Sequence, residues 1–432
     1  MPRLLYSALL YILLPFTAIK LLWRGLRQPA YLNHWPERYG FYGTNVSQPI
    51  IWLHCVSVGE TRAAKPLVEA LLEKYLSHQI LLTHATPTGR EAGEQIFPHD
   101  KYPRITRCYL PYDTPDAVKR FLNHFQPALG LLMETELWFN LIASCKAQAI
   151  PLLLVNARLS ERSARGYAKV GKLTAQGLEN LSAIAAQTEQ DASRLNTLLG
   201  KARSKAAVMG NLKFDVNPPA GEAERGRYLR GLLGFKRPVF LAASTRDGEE
   251  ALILEAIASS EIDNLLTVIV PRHPQRFDEV AALLSKLNIQ FCRRSEFSMG
   301  TVAGDIPNCS VILGDSMGEM FTYYAACDIA FIGGSLLPLG GQNLIEASAM
   351  GKPVLIGPHT FNFSAATDDA VQAGAAIRVN NPQELSERLS ALMNDVEARK
   401  AMSDEALAFS KSASGATQRL MNLIEKYLPA KK

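Results

Sequence analysis

The chain repeats one local pattern: a short apolar run, a polar or glycine-bearing turn, then a stretch with apolar residues at helical spacing. In the first half the runs fall at residues 50–54, 80–83, 129–133 and 152–155, with helical patterns such as 61–75 and 115–125 between them. In the second half the runs restart at 239–244, 266–270, 311–314, 329–332 and 354–356. Runs that are apolar at every position suit strands covered on both faces, and the helices supply the crossovers that parallel strands need. The expected class is α/β with parallel sheets. The rhythm breaks in VMGNLKFDVNPPAGEAERG, where Asn217, Pro218, Pro219 and Gly221 cluster, and this marks a linker at 214–226. A length of 432 residues is too great for one typical domain. Two similar halves joined by that linker place a site between them, and Lys213 stands at its edge, able to reach such a cleft. The tail, 416–428, reads as an amphipathic helix packed on one of the two domains.

The most informative single stretch is FIGGSLLPLGGQNLIEASAMGKPVLIGPHTFNF, residues 331–363. An apolar run ends in a glycine-rich turn, a helical pattern follows over about 342–350, and Gly351 and Pro353 stop it before the next run. Ligands of doubly wound sheets bind at the carboxyl ends of strands. Gly340 and Gly341 are expected to let the backbone approach a ligand, with a helix N-terminus behind them favouring negative charge. Asn343 and Glu346 are spaced to share a helix face, and a carboxylate there can accept both hydroxyls of a ribose. Glycines that only turn and a glutamate that only complements the helix dipole are the alternative. Asn343, Glu346 and the GKP stop together favour a nucleotide site.

Other strand ends carry polar groups. HCVSVGETRAAKP puts Glu60 at the start of a helix after the first run, a candidate general base or a dipole-stabilised helix end. The dipole is expected to lower its pKa and keep it ionised. LLMETELWFN places Glu134 and Glu136 after another run, with Glu134 positioned to reach the same crevice. Asp113 and Asp116 read as turn and capping residues. Arg158, Arg162 and Arg165 read as an anion-binding cluster or a solvated helix face. In the second half, Ser244 and Thr245 form a phosphate cradle or a cap, and Arg272 suits bidentate phosphate or carboxylate binding. His273 reads as structural, while Gly318 makes a tight turn with Glu319 available to a base or a helix cap.

Residues 4–23 are almost wholly apolar, flanked by Arg3, Lys20, Arg24 and Arg27. A spanning helix needs about 20 apolar residues, so the segment is borderline. Lys20, Trp23 and Arg24 stand where a signal peptide would have small residues. An uncleaved anchor or a helix lying in the interface fits better, with a helix buried in the protein as the alternative. The excess of basic residues after the segment keeps the main body on the cytoplasmic side. A formal charge of +5 is too small for a dedicated nucleic-acid binder and compatible with an anionic substrate or a membrane surface. The six cysteines show no CxxC and no zinc-ligand spacing, so reduced thiols and no zinc site are expected.

An apolar N-terminus followed in order by HCVSVGE, METELW, GNLKFD, PRHPQRF, GDSMGE, GGSLLPLGGQNLIEA and GPHTFNF resembles the Kdo transferases of lipopolysaccharide synthesis. Those enzymes carry 3-deoxy-D-manno-octulosonic acid (Kdo) from CMP-Kdo to a lipid A precursor. The resemblance implies the GT-B glycosyltransferase architecture, two Rossmann-like domains facing a cleft. Residues 1–27 would be a membrane helix, 28–213 the acceptor domain and 227–432 the CMP-sugar-binding domain, each side of the 214–226 linker. It places the catalytic base at Glu60 and stabilisers of the transition state at Glu134 and Lys213. It places CMP contacts at Pro271, Arg272, Met317, Gly318, Glu319, Asn343, Leu344, Ile345 and Glu346. Gln342 stands where His is expected and Phe139 where Pro is expected, and neither departure removes a charge.

The implied reaction needs no cofactor. No Asp-x-Asp pair follows a strand, so no bound metal is expected. Glu60 takes the proton of an acceptor hydroxyl as it attacks Kdo, while Arg272, a helix N-terminus and Lys213 stabilise the departing CMP. One base opposite the leaving group implies inversion, by analogy with glycoside hydrolysis. The implied partners are CMP-Kdo, a tetraacyl disaccharide bisphosphate precursor of lipid A and the inner-membrane surface. A nucleotide-sugar epimerase of the UDP-GlcNAc kind shares the two-domain pattern but needs no membrane segment. A non-catalytic membrane scaffold would not need the set Glu60, Arg272, Asn343 and Glu346.

Overall fold

The computed structural model describes residues 2–43, 48–200, 205–216, 218–297 and 309–429; Asn217 of the expected linker lies outside them. The chain forms two compact units, Met1–Asp215 with Ser414–Lys432, and Val216–Ala413. The first holds β1 (Ile50–His54), β2 (Gln79–His84), β3 (Ile105–Tyr109), β4 (Leu129–Met133), β5 (Leu152–Ala157), β6 (Ala183–Ala186) and β7 (Ala206–Val208). These run parallel in the order β3-β2-β1-β4-β5-β6-β7. Every residue of β1, β4, β5 and β6 is buried, as expected for strands with helices on both faces. The apolar-run criterion passes over β3, β6 and β7, whose sequences ITRCY, AIAA and AAV are mixed or small.

The second unit holds β8 (Val239–Thr245), β9 (Leu266–Pro271), β10 (Phe291–Arg293), β11 (Val311–Leu313), β12 (Ile329–Ile332), β13 (Val354–Ile356) and β14 (Ala376–Arg378). They too are parallel, in the order β10-β11-β9-β8-β12-β13-β14. Strand order reverses between β1 and β4 in the first sheet and between β8 and β12 in the second. The connections leave in opposite directions at such a point, which opens a crevice at the carboxyl ends of the two strands.

The end of the chain departs from the expected second domain running to residue 432. The Asp215 carboxylate accepts the N–H groups of Gly415, Ala416 (3.0 Å) and Thr417, satisfying donors at the start of the helix Ala416–Glu425. Leu420, Met421 and Ile424 then enter the core around Ile51 and Leu53 of β1. The tail helix therefore belongs to the first unit. The expected linker is also shorter, since the helix Glu222–Leu233 begins inside 214–226.

The N-terminal helix, Arg3–Arg27, buries only Ser7, Leu21 and Gly25. Leu4, Ile12, Phe16 and Leu26 are 62% or more exposed, which overturns the reading of a helix buried in the protein. It is long and apolar enough to cross a membrane by length and composition. Its polar side rests on the first unit. The Tyr6 hydroxyl donates to Asp113 at 2.9 Å, Ser7 to Asn140 at 2.9 Å and Tyr11 to Asp116 at 2.7 Å.

Candidate active site

Within the first unit, Glu60 follows β1 and Glu134 follows β4, the two strands that flank the reversal. Ser57 caps the helix Val58–Ala63 by accepting the Glu60 N–H, and its hydroxyl donates back to the Glu60 carboxylate at 2.9 Å. The other carboxylate oxygen accepts the Val56 N–H at 2.8 Å. The Ser-x-x-Glu spacing is that of a capping box, but Glu60 reaches the Val56 N–H rather than that of the N-cap Ser57. Glu60 is nonetheless 7% exposed, and burial pushes its pKa up to about 7, against the pull of those two donors. The charges of Glu134 and Glu136 push the same way as burial. The expectation that the helix dipole keeps its pKa low is thus corrected: loss of water and two neighbouring carboxylates outweigh the end of a six-residue helix.

Glu134 has left-handed backbone, φ 56°, a conformation that costs a non-glycine residue of order 1 kcal/mol or more. It turns the chain sharply out of β4. Lys213 meets its carboxylate at 3.6 Å. The Glu136 carboxylate takes the Trp138 indole N–H at 2.6 Å, and burial raises its pKa. Asn156, also left-handed at φ 51°, interrupts the register of β5 and accepts the Leu212 N–H at 3.0 Å. That contact fixes the segment bearing Lys213, and no local spacing in the sequence announces it.

The second unit carries a pocket of about 170 Å³ lined by Ser244, Pro271, Arg272, Met317, Gly318, Glu319, Tyr324, Gln342, Asn343 and Glu346, among others. It lies at the ends of β8 and β9, next to the reversal between β8 and β12. Most residues expected to contact CMP line it. Leu344 and Ile345 do not, because both side chains are fully buried. The expected helix over 342–350 is only Ile345–Ala349, and the Asn343 side chain accepts the Ile345 N–H at 3.0 Å. Asn343 also donates to Glu346, at 3.4 Å, while burial raises the Glu346 pKa.

Gly340 and Gly341 do not line this pocket. Their φ values are 95° and 71°, and a Cβ on Gly340 would collide with Asn362 and Phe361. They serve a close approach of chain to chain rather than of chain to ligand. Gln342, where the resemblance expects His, accepts the Arg272 Nε–H at 3.1 Å, so an amide oxygen orients the guanidinium. Glu319 is engaged rather than free: Arg294 donates to it at 2.8 Å and Ser316 donates to its other oxygen. Nothing in sequence spacing connects residue 294 with 319.

Three further expectations are modified. Thr245 is buried and donates to Glu250 at 2.7 Å, so only Ser244 of that pair faces the pocket. His273 is exposed, so a structural role for it would be one at the surface. Arg158, Arg162 and Arg165 lie on an exposed surface, with Arg165 paired to Glu161 at 3.3 Å. Among the described residues, no group of three or more His, Cys, Asp or Glu side chains is arranged to hold a metal ion.

The architecture is shared with solved proteins of different activity. A glycosyltransferase from Rickettsia africae aligns with 89% of this chain and all of that one, at 13% identity and TM-score 0.57. A putative UDP-N-acetylglucosamine 2-epimerase from Listeria monocytogenes covers 89% of this chain and 97% of that one, at 15% identity and TM-score 0.53. At such identities the likeness shows the fold, two parallel-sheet α/β units of GT-B type, and leaves both enzyme classes open. Sequence separates them. The profile described as 3-deoxy-D-manno-octulosonic-acid transferase matches residues 33–216, and that of glycosyl transferases group 1 matches 303–408. The 3-deoxy-D-manno-octulosonic acid transferase of Haemophilus influenzae is 39% identical over 99% of this chain and 99% of its own length. That of Bordetella pertussis is 42% identical over 94% of this chain and 95% of its own. Related to both of these enzymes at 39–42% identity over nearly its whole length, this protein belongs to the 3-deoxy-D-manno-octulosonic acid (Kdo) transferase family of glycosyltransferases.

Proposed function

We propose that the protein transfers Kdo from CMP-Kdo to a lipid A precursor, a tetraacyl disaccharide bisphosphate, with inversion at the transferred carbon and Glu60 as general base. The observation that carries this reading is the Glu60 carboxyl, held at the strand reversal with a pKa of about 7 by burial and by Glu134 and Glu136. A base with that pKa is ionised in a large fraction near neutral pH and still basic enough to take a proton from an attacking hydroxyl.

The second unit, residues 216–413, binds the donor. Arg272, oriented by Gln342, faces the phosphate and stabilises the charge that CMP carries away, and Glu346 accepts the ribose hydroxyls. The first unit binds the acceptor. Glu134 and Lys213, linked at 3.6 Å, stabilise the transition state, with the Lys213 ammonium acting on the negative charge of the departing CMP. Departure of CMP opposite a single base inverts the configuration.

The exposed face of the N-terminal helix, with Leu4, Ile12, Phe16, Ile19, Trp23 and Leu26 beside Arg24 and Arg27, suits the headgroup region of a membrane. This supports an inner-membrane location with both units on the cytoplasmic side, where the lipid acceptor is within reach. Incubation with CMP-Kdo and tetraacylated precursor, read by mass spectrometry, tests the whole reading. The expected product is the precursor heavier by one or more Kdo residues. An unchanged precursor with an epimerised sugar nucleotide would overturn it.

A further inference from the structure

The N-terminal helix rests on the first unit through polar side chains, and its seat is also the anchor of the loop that carries Glu134 and Glu136. That loop runs from the end of β4 into the helix Phe139–Ala147. No side chain of the N-cap residue, Trp138, caps this helix. Its leading donors are taken by Asp113 instead, whose carboxylate accepts the N–H groups of Asn140 at 3.0 Å and Leu141 at 2.8 Å. Asn140 donates its amide to the Asp113 carbonyl at 2.7 Å. Tyr6 completes Asp113 with a hydroxyl at 2.9 Å, and Ser7 completes Asn140 at 2.9 Å. The Tyr6 ring stands edge-on to Phe139, centroids 5.3 Å apart.

Asp113 and Asn140 are both 3% exposed, so losing the Ser7 hydroxyl leaves the buried Asn140 Oδ1 unpaired, and losing the Tyr6 hydroxyl takes one of three donors from the buried Asp113 carboxylate. Phe139 gives this chain a particular need for the network. A proline at the first helical position would set the backbone by its ring. Here the entry into the helix is held by Asp113 and by the Tyr6 ring. At its other end the loop is held by the Glu134 N–H on the Val155 carbonyl, 3.0 Å, and in between by the Tyr167 hydroxyl on the Thr135 carbonyl, 3.2 Å.

We propose that Tyr6, Ser7, Asp113 and Asn140 form a positioning network through which the seated N-terminal helix sets the geometry of the loop bearing Glu134 and Glu136. The proposal rests on the reading of that loop as part of the reaction site. The membrane-facing helix is then more than a tether: its docking aligns the carboxylates around Glu60, and undocking misaligns them while the sheet stays folded.

The test uses the full chain on phospholipid vesicles, with CMP-Kdo and the tetraacylated precursor as probes. The variant Tyr6→Phe with Ser7→Ala keeps the apolar face and the aromatic contact to Phe139 but removes both hydroxyls. We expect kcat to fall about 5- to 30-fold with the KM for donor held within about twofold, and the acidic limb of the rate–pH profile to move. A merely structural role would lower the melting temperature and the amount of active enzyme without moving that limb. Unchanged kcat and an unmoved limb would overturn the proposal. If the double variant fails to fold, Tyr6→Phe alone provides the same readouts. Glu134→Gln, assayed in parallel, separates the two ideas. Full activity of Glu134→Gln would remove the catalytic reading of the loop, and the proposal with it. Loss of rate in Glu134→Gln, with none in the hydroxyl variant, would sink the coupling alone.

Discussion

Lys213 holds its ammonium 3.6 Å from the carboxylate of Glu134, a residue whose own backbone is left-handed at φ 56°. The pair comes from distant parts of the chain. Glu134 leaves a central strand, and Lys213 sits on a short turn fixed when the Leu212 N–H meets Asn156 at 3.0 Å. Lys213 therefore partly offsets the negative charge that raises the pKa of Glu60. On the proposed reading of Glu60 as the base, rate and stability both follow that balance.

Glu60→Gln should reduce kcat for Kdo transfer about 10²- to 10⁴-fold while leaving CMP affinity in the second unit nearly intact. Rates and isothermal titration on the same preparation decide it. A variant retaining more than about a tenth of the wild-type rate would make Glu60 a helix-capping residue only.

The same substitution should separate stability from activity. The Glu60 carboxyl has a pKa of about 7 when folded against an ordinary value of 4.5, so between those values the folded state binds more protons than the unfolded one. Stability therefore falls as pH rises from 4.5 to about 7, and stays lower above that. The full effect of such a shift is about 3 kcal/mol. Denaturant titrations at pH 5 and pH 8 should show Glu60→Gln gaining stability relative to wild type at the higher pH. A difference that is the same at both pH values would mean Glu60 is ionised throughout.

Lys213→Met should lower kcat and move the acidic limb of the pH–rate profile upward. Removing the ammonium leaves Glu134 uncompensated, and the added negative potential makes Glu60 harder to ionise. A downward or absent shift would show that Lys213 is not coupled to the base through Glu134.

Glu346→Ala should weaken CMP-Kdo binding about 10- to 150-fold, since charge-assisted hydrogen bonds to ribose are worth roughly 1.5–3 kcal/mol. A deoxyribose donor analogue should bind wild type poorly and lose much less on mutation. Titrating both proteins with both nucleotides completes the cycle. Equal losses for the two nucleotides would assign Glu346 to the short helix Ile345–Ala349 rather than to the ribose.

Deleting residues 2–27 should release the protein from vesicles in a flotation assay while both sheets survive. The lost contacts to Asp113, Asn140 and Asp116 should lower the melting temperature by several degrees, at about 1 kcal/mol per hydrogen bond. Continued flotation of the truncated protein would locate the membrane contact elsewhere.

Much of the framework is visible in the amino-acid sequence alone. The predominantly apolar runs at β1, β4, β8, β9, β12 and β13 mark central strands because such strands are covered on both faces. Glu60, Glu134 and Arg272 are legible as polar groups just after strands, and Asn343 and Glu346 by their spacing at a helix start, since a parallel sheet presents its carboxyl edge to ligands. The length and apolarity of residues 3–27 mark a membrane-compatible helix without any tertiary information. Tertiary structure decided the rest. Edge strands such as β10 and β14 have three residues each and too few apolar side chains to be seen. The tail helix joined the first unit because Asp215 caps it there, a contact spanning some two hundred positions. Gly340 turned out to admit Asn362 and Phe361, and Gly341 to lie against Thr360, which no local pattern distinguishes from admitting a ligand. The protonation of Glu60 depends on burial and on Glu134 and Glu136, which chain distance separates and the sheet brings together. Local composition sets which segments become strands and helices; desolvation and electrostatics act through space, so they are settled only when the chain is folded.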